Sequence, residues 1–238
     1  EELSIDGWAM EARLYAEDPA KGFLPSIGRL DVLELHERFR VDTGVQADDE
    51  VSPFYDPMIA KIIVHGEDRA QALQLMKMAF YRTVIAPLRT NGGFLSRLVQ
   101  FEPVLNGEVH TGLIESNMEV LAFPDDVAKT LTEDAATALV ASQVHQTYDI
   151  EPGVHVGRTD SLNDVWRAAI GFRANSAPSR RVTLFTSTET IDAKLPEDFR
   201  FRRVHSYFDG DDSLSVMRYG ETLTFKKRAS YRASAGAH

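Results

Sequence analysis

Near the start of this 238-residue chain a permanently charged side chain stands between carboxylates: Glu11, Arg13 and Glu17. Residues 8–17 alternate, with Trp8, Met10, Ala12, Leu14 and Ala16 on one face and Glu11, Arg13, Tyr15 and Glu17 on the other, the period of a half-buried strand. The carboxylates on that strand flank the guanidinium and can hold its planar fork in one orientation. A cation fixed in this way can stabilise an oxyanion that develops during a reaction. Taken alone, the spacing favours a plain solvent-facing charge ladder. A second candidate is Asp56, set between aromatics and a proline in Val51-Ser52-Pro53-Phe54-Tyr55-Asp56-Pro57-Met58-Ile59-Ala60-Lys61; by pattern alone it closes a turn before a buried strand.

Other chemistries are excluded or disfavoured. There is no Cys, which removes disulfides, thiolate nucleophiles and Cys-based metal sites. No P-loop, dinucleotide-type glycine fingerprint, HExxH or GxSxG word occurs. Of the seven histidines, His145 and His155 come nearest to ligand spacing, and they lack acidic companions on a shared face, so no metal site is expected. In Met76-Lys77-Met78 a lysine stands between two methionines, the pattern at which biotin or lipoyl groups are attached. That lysine must project from a tight hairpin, whereas Lys77 falls midway along a helix and reads as a solvated helix lysine. With 26 basic against 36 acidic side chains, binding of nucleic acid over the whole surface is disfavoured. No apolar run approaches a membrane span, and Glu1-Glu2 stand where a signal peptide would carry basic residues, so a soluble protein is expected.

Several elements must position these residues. Residues 30–35 and 59–64 read as strands, separated by the turn-rich stretch 43–57. Residues 68–82 place Ala72, Leu75, Met76, Ala79 and Phe80 along one helix face, with Glu67 and Asp68 in the first turn against the dipole. Asn91 is placed to cap a second helix that buries Phe94, Leu95 and Leu98. Strands followed by helices indicate an α+β fold. The charge then shifts: 11 basic and 19 acidic residues over 1–118, 1 and 6 over 119–150, and 14 and 11 over 151–238. That sign change suggests two bodies joined near Phe123-Pro124. The second begins with a helix over 125–146 whose Ala-rich face (Val127, Leu131, Ala135, Ala138, Leu139, Ser142) calls for close packing. Strands are expected at 165–172, 181–186, 199–207, 214–218 and 222–226, with turns at Asp209-Gly210 and Tyr219-Gly220, which suggests a small barrel or curled sheet. The small-residue stretch 233–238 reads as the start of a linker.

Four words carry a resemblance: Met10-Glu11-Ala12-Arg13-Leu14-Tyr15-Ala16-Glu17-Asp18-Pro19, Gly22-Phe23-Leu24-Pro25-Ser26, Ser52-Pro53-Phe54-Tyr55-Asp56-Pro57-Met58-Ile59-Ala60-Lys61, and Leu88-Arg89-Thr90-Asn91 with Phe94-Leu95. In this order and spacing, residues 7–118 closely resemble the C-terminal part of biotin carboxylase, and Thr111-Gly112-Leu113-Ile114-Glu115 is similar to the family's closing segment. Biotin carboxylase is an ATP-grasp enzyme that turns ATP and bicarbonate into carboxyphosphate and then carboxylates N1′ of carrier-bound biotin. The resemblance implies that Arg13 is the arginine stabilising the enolate oxygen of the ureido ring, which replaces the charge-ladder reading. It also implies that Asp56, with Glu11 and Tyr55, lies at the biotin site, and that Arg40 lies at a subunit contact. ATP and Mg would be held mostly by residues upstream of Glu1, where the family has its nucleotide-binding lysines, glycine-rich loop, metal ligands and general base. Glu1 is therefore read as a break in a longer chain, and this stretch alone is expected to be inactive.

Residues 119–232 resemble the domain of acyl-CoA carboxylase α subunits that lies between biotin carboxylase and the biotin carrier. The similarity implies a small antiparallel β-barrel-like domain with a long helix that docks the carboxyltransferase β subunit. Trp166 followed by Gly171-Phe172-Arg173-Ala174-Asn175 is most like the methylcrotonoyl-CoA carboxylase word, which makes Trp166, Phe172 and Arg173 candidate interface anchors. The implied partners are that β subunit and the biotin carboxyl carrier domain, in a hetero-oligomer without nucleic acid or membrane. The expected compartment is bacterial cytoplasm, or the mitochondrial matrix for a eukaryotic relative. Three rivals stand beside this reading: a propionyl- or acetyl-CoA carboxylase α subunit, a non-catalytic binding module that keeps the fold, and a nucleic-acid binder using Arg200, Arg202, Arg203 and Lys226-Lys227-Arg228.

Overall fold

A computed structural model describes residues 4, 6–122, 124–145, 155–157, 181–185, 190–194, 204–209 and 213–226. The alternating segment forms β1 (Trp8–Tyr15). Two shorter strands, β2 (Val32–Glu34) and β3 (Arg40–Thr43), precede the nine-residue β4 (Met58–Gly66). β1, β4 and β3 make an antiparallel sheet in that order. Its inner face carries Ala12, Leu14, Ala60, Ile62, Val64 and Val41, which pack against helix α1 (Arg69–Tyr81) through Ala72, Leu73, Met76, Ala79 and Phe80. Met76 and Phe80 are wholly buried. Burial of a side chain of this size contributes about 1.5–3 kcal/mol.

Local chemistry sets the ends of these elements. Asp68 is the N-cap of α1, not a residue of its first turn: its carboxylate accepts the Gln71 N–H at 2.8 Å, an interaction worth about 1 kcal/mol. Lys77 is exposed on the outer face of α1, as a solvated helix lysine should be. Trp8 departs from expectation, being 49% exposed, because its cross-strand partner is Gly66, which offers no side chain to cover it. The strand expected over 30–35 is shorter, and β2 pairs with β5 (Val84–Ala86).

The helix expected over 125–146 is present as α3 (Asp125–His145). Its small residues Ala135, Ala136 and Ala138, with Leu131, pack on Leu214, Val216, Phe225 and Ala193. Those residues belong to two antiparallel sheets. One has the order β6 (His155–Gly157), β9 (Val204–Asp209), β10 (Ser213–Arg218), β11 (Glu221–Lys226); the other pairs β7 (Arg181–Phe185) with β8 (Thr190–Lys194). Among the described residues these sheets do not close into a barrel. β6 and β8 had not been expected: β6 spans only three residues, and β8 lacks the run of apolar side chains that marks a strand. The strand expected over 165–172 lies outside the described residues. The β10–β11 turn does match its sequence signal: Tyr219 and Gly220 both have positive φ, at 53° and 81°, the geometry of a two-residue type I′ hairpin.

The β10–β11 hairpin seats on the first part of the chain. Met217 joins an apolar cluster with Val32, Val84 and Ala86. Thr222 Oγ1 donates to the Ile85 carbonyl at 2.6 Å, Arg89 Nη1 donates to the Thr222 carbonyl at 2.7 Å, and Arg97 Nη2 pairs with Glu221 Oε1 at 2.7 Å. Arg97 also donates to the carbonyls of Leu121 and Ala122, so one guanidinium ties three segments together. No helix among the described residues is long and apolar enough to cross a membrane.

Candidate functional site

The face of the β1–β4–β3 sheet turned away from α1 gathers the charged residues. The antiparallel register sets Arg13 opposite Lys61 and Lys61 opposite Asp42, while Glu11 and Arg40 flank Ile63. Glu11, Arg13 and Arg40, singled out from the sequence, therefore share one surface with Lys61 and Asp42, which were not. The sequence marked 59–64 only as a strand, and the pairing of Lys61 with Asp42 is non-local and leaves no sequence signal.

Arg13 Nε meets Glu11 Oε1 at 3.4 Å, and the two side chains are 61% and 44% exposed. Glu11 and Tyr15 favour the charged guanidinium. With 61% of its side chain exposed, the guanidinium can still present donors to an incoming acceptor, as an oxyanion needs. Arg40 is gripped by Asp42 through two bonds, Nε to Oδ1 at 3.1 Å and Nη2 to Oδ2 at 2.9 Å.

Glu17 lies just beyond β1, which ends at Tyr15. The register shifts between Leu14 and Tyr15 because β4 carries an extra residue there, Ile59, and the alternation of the first strand continues past the shift, with Leu14 and Ala16 both buried. Beyond the bulge the Ala16 N–H bonds the Pro57 carbonyl at 2.8 Å, and Glu17 pairs with Pro25 in a short ladder. Burial, and secondarily the charge of Asp56, push the Glu17 carboxyl above its ordinary value. Tyr55 is 83% exposed and Asp56 is also exposed. Their loop is shaped at its start by Ser52 Oγ, which accepts the Phe54 N–H at 3.1 Å, and it runs into Met58, the partner of Tyr15. Tyr55 and Asp56 thus sit at the Arg13 end of the sheet.

Asn91 departs from its expected role. It stands at the N-cap of α2 (Gly92–Leu98) but makes no side-chain cap; Thr90 Oγ1 accepts the Gly92 N–H instead. The Asn91 side chain reaches β1, where Oδ1 accepts the Tyr15 N–H at 2.9 Å and Nδ2 donates to the Arg13 carbonyl at 3.2 Å. Its backbone N–H bonds the Tyr15 carbonyl at 3.1 Å. Phe94 is buried under α2 as expected, with Leu95 and Leu98 partly so.

Among the described residues no cluster of three or more His, Asp or Glu side chains could hold a metal ion. Trp166, Phe172 and Arg173, the predicted interface anchors, lie outside the described residues, as do Arg200, Arg202, Arg203, Lys227 and Arg228.

Residues 11–116 match the family described as Biotin carboxylase C-terminal domain. The mitochondrial methylcrotonoyl-CoA carboxylase subunit alpha of Dictyostelium discoideum is 37% identical over 189 residues, which is 76% of this chain and 25% of that protein. The mitochondrial propionyl-CoA carboxylase alpha chain of Mus musculus is 37% identical over 151 residues, 60% of this chain and 20% of that protein. The chain thus spans less than a third of the length of these curated relatives. Among solved structures, the biotin carboxylase domain of a thermophilic 2-oxoglutarate carboxylase bound to bicarbonate aligns with a TM-score of 0.50 and 28% identity, over 51% of this chain and 28% of that one.

Proposed function

We propose, from the match of residues 11–116 to the biotin carboxylase C-terminal domain, that the chain is part of the α subunit of a biotin-dependent acyl-CoA carboxylase and supplies one side of the site where biotin is carboxylated. The observation that carries this reading is Arg13, charged and half open on the sheet face, with Glu11 beside its Nε. When biotin is bound, its ureido group supplies the nitrogen to be carboxylated and an oxygen on which negative charge develops as the proton leaves. Arg13 stabilises that charge, and because the charge is largest in the transition state the interaction lowers the barrier more than it strengthens ground-state binding. Glu11 orients the guanidinium, and Tyr55 and Asp56 border the entrance from the 52–57 loop. Arg40 faces a neighbouring subunit. ATP and Mg are bound by parts of the α subunit outside this chain.

Residues 119–232 form the second unit in this reading and dock a carboxyltransferase β subunit, with Trp166, Phe172 and Arg173 as anchors; a carrier domain delivers biotin to the Arg13 face. The methylcrotonoyl type is favoured because the methylcrotonoyl-CoA relative matches more of the chain than the propionyl-CoA relative does, 76% against 60%. Both relatives are named as mitochondrial, which suits a matrix enzyme in a eukaryote. The test is to isolate the full-length protein from its source with an antibody to this segment and measure fixation of labelled bicarbonate. Biotin in the captured complex, with incorporation into 3-methylcrotonoyl-CoA well above propionyl-CoA, supports the assignment. Preference for propionyl-CoA moves it to the propionyl type, and a biotin-free complex that fixes no bicarbonate refutes it.

A further inference from the structure

The Arg13–Glu11 contact is long and both side chains are largely exposed, and ion pairs of this kind fix geometry weakly. The position of the guanidinium therefore depends on the backbone that bears it and that bears its neighbour Tyr15, which also acts on it. That backbone is vulnerable on two sides. Among the described residues β1 is an edge strand, bonded only to β4, and their pairing shifts register between Leu14 and Tyr15, just past Arg13, where β4 carries the extra residue Ile59. On the free edge, the Arg13 carbonyl and the Tyr15 N–H and carbonyl point the same way, as groups two residues apart on a strand do. Asn91 meets all three: its side-chain amide acts as a substitute peptide group toward Arg13 and Tyr15, and its own N–H completes the ladder.

Asn91 is in turn held from the opposite side by the β10–β11 turn, which lies beyond the residues that match the family. Thr90 Oγ1 donates to the Gly220 carbonyl at 3.3 Å, and Arg89 Nη1 donates to the Thr222 carbonyl at 2.7 Å. Backbone meets backbone here with no room for a side chain: a Cβ on Gly220 would stand 2.7 Å from the Gly92 carbonyl carbon, and one on Gly92 would stand 3.0 Å from the Gly220 oxygen. Segment 89–93 is thus clasped between the edge of β1 and the hairpin turn.

We propose that Asn91 is a positioning residue for Arg13 and that the Tyr219–Thr222 turn holds Asn91 in register, so that the hairpin body is a determinant of carboxylation at the Arg13 face. The inference rests on the biotin carboxylase reading given above and adds to it a physical link between that face and the proposed docking unit. A shift of about 1 Å in a reacting group lowers a rate by up to about a hundredfold, which sets the scale expected if the clasp is released.

The test uses the full-length subunit with free biotin as acceptor, and it reads the ratio of biotin carboxylation to bicarbonate-dependent ATP cleavage. Asn91→Ala should lower that ratio about ten- to a hundredfold. Asn91→Asp keeps the acceptor for Tyr15 N–H but lacks the donor for the Arg13 carbonyl; it should lower the ratio too, and it decides the matter if the alanine variant does not fold. Gly220→Ala, far from the substrate, should lower the ratio several-fold, and with Asn91→Ala it should add little, since both release the same clasp. Equal losses in the two half-reactions, or additive effects of the two substitutions, would overturn the proposal and leave Asn91 a structural residue. Arg13→Met serves as control: if it leaves the ratio unchanged, the assignment of Arg13 fails and the positioning inference falls with it. If Arg13→Met abolishes carboxylation while the Asn91 variants do not lower the ratio, the positioning inference alone fails.

Discussion

A methyl group at Gly93 tests how closely the hairpin is fitted to the first part of the chain. Gly93 is the second residue of α2, and an added Cβ would stand 2.1, 2.2 and 2.3 Å from the Oε1, Cδ and Cγ of Glu221. Glu221 is 4% exposed, so its side chain cannot swing into water without moving the turn, and any retreat lengthens its 2.7 Å contact with Arg97. Disrupting a buried ion pair from one side costs about 3–5 kcal/mol. In the other direction, replacing a helical glycine with alanine gains about 0.8–1.0 kcal/mol. The larger effect wins, and Gly93→Ala is expected to destabilise the chain by about 2–4 kcal/mol. Urea unfolding followed by circular dichroism measures this directly. In a Glu221→Ala background the collision is gone and only the helix preference remains, so the same substitution should become stabilising by up to about 1 kcal/mol. A Gly93→Ala variant as stable as its parent, or one with the same loss in both backgrounds, would refute the argument.

Other outcomes follow from the same structure. Phe80→Ala, which empties a fully buried site between α1 and the sheet, should cost about 3–5 kcal/mol in the same unfolding assay. Burial and Asp56 raise the Glu17 carboxyl, so its titration, followed by carboxyl-carbon NMR, should lie above the ordinary glutamate range and move down in Asp56→Asn. Because the folded value is the higher one, the stability linked to Glu17 is present at acid pH and lost as the pH rises through its folded value. Glu17→Gln should therefore gain in stability relative to the parent between mildly acid and neutral pH; a constant difference across that range would contradict the assignment.

How much of this was legible in the sequence depends on how local each signal is. β1 was readable because α1 covers one of its faces, which forces Met10, Ala12 and Leu14 inward and Glu11 and Arg13 outward. The end of β1 at Tyr15 was not visible: Glu17 pairs with Pro25 in a separate two-residue ladder, and the extra residue Ile59 in β4 that shifts the register there has no residue type to announce it. Asn91 was read as a helix cap from its local preference, yet its side chain answers to Arg13 and Tyr15, more than seventy positions away. The Arg97–Glu221 pair spans a greater separation and had no sequence signal at all. The Tyr219-Gly220 turn, by contrast, was visible, since the two positive φ angles of a tight hairpin select their residues locally. The helix over 125–146 was visible through its small apolar face, but the sheets that it covers were only partly foreseen, because β6 and β8 are too short or too polar to stand out.

The central claim is that Arg13 stabilises charge on biotin, and one measurement tests it most directly. In the full-length subunit, Arg13→Met should abolish biotin carboxylation while most of the bicarbonate-dependent ATP cleavage survives, because a neutral side chain of similar length leaves the nucleotide chemistry in place and removes only the cation that meets the developing oxyanion. Carboxylation at the parent rate in that variant would contradict the account and return Arg13 to a surface charge pair.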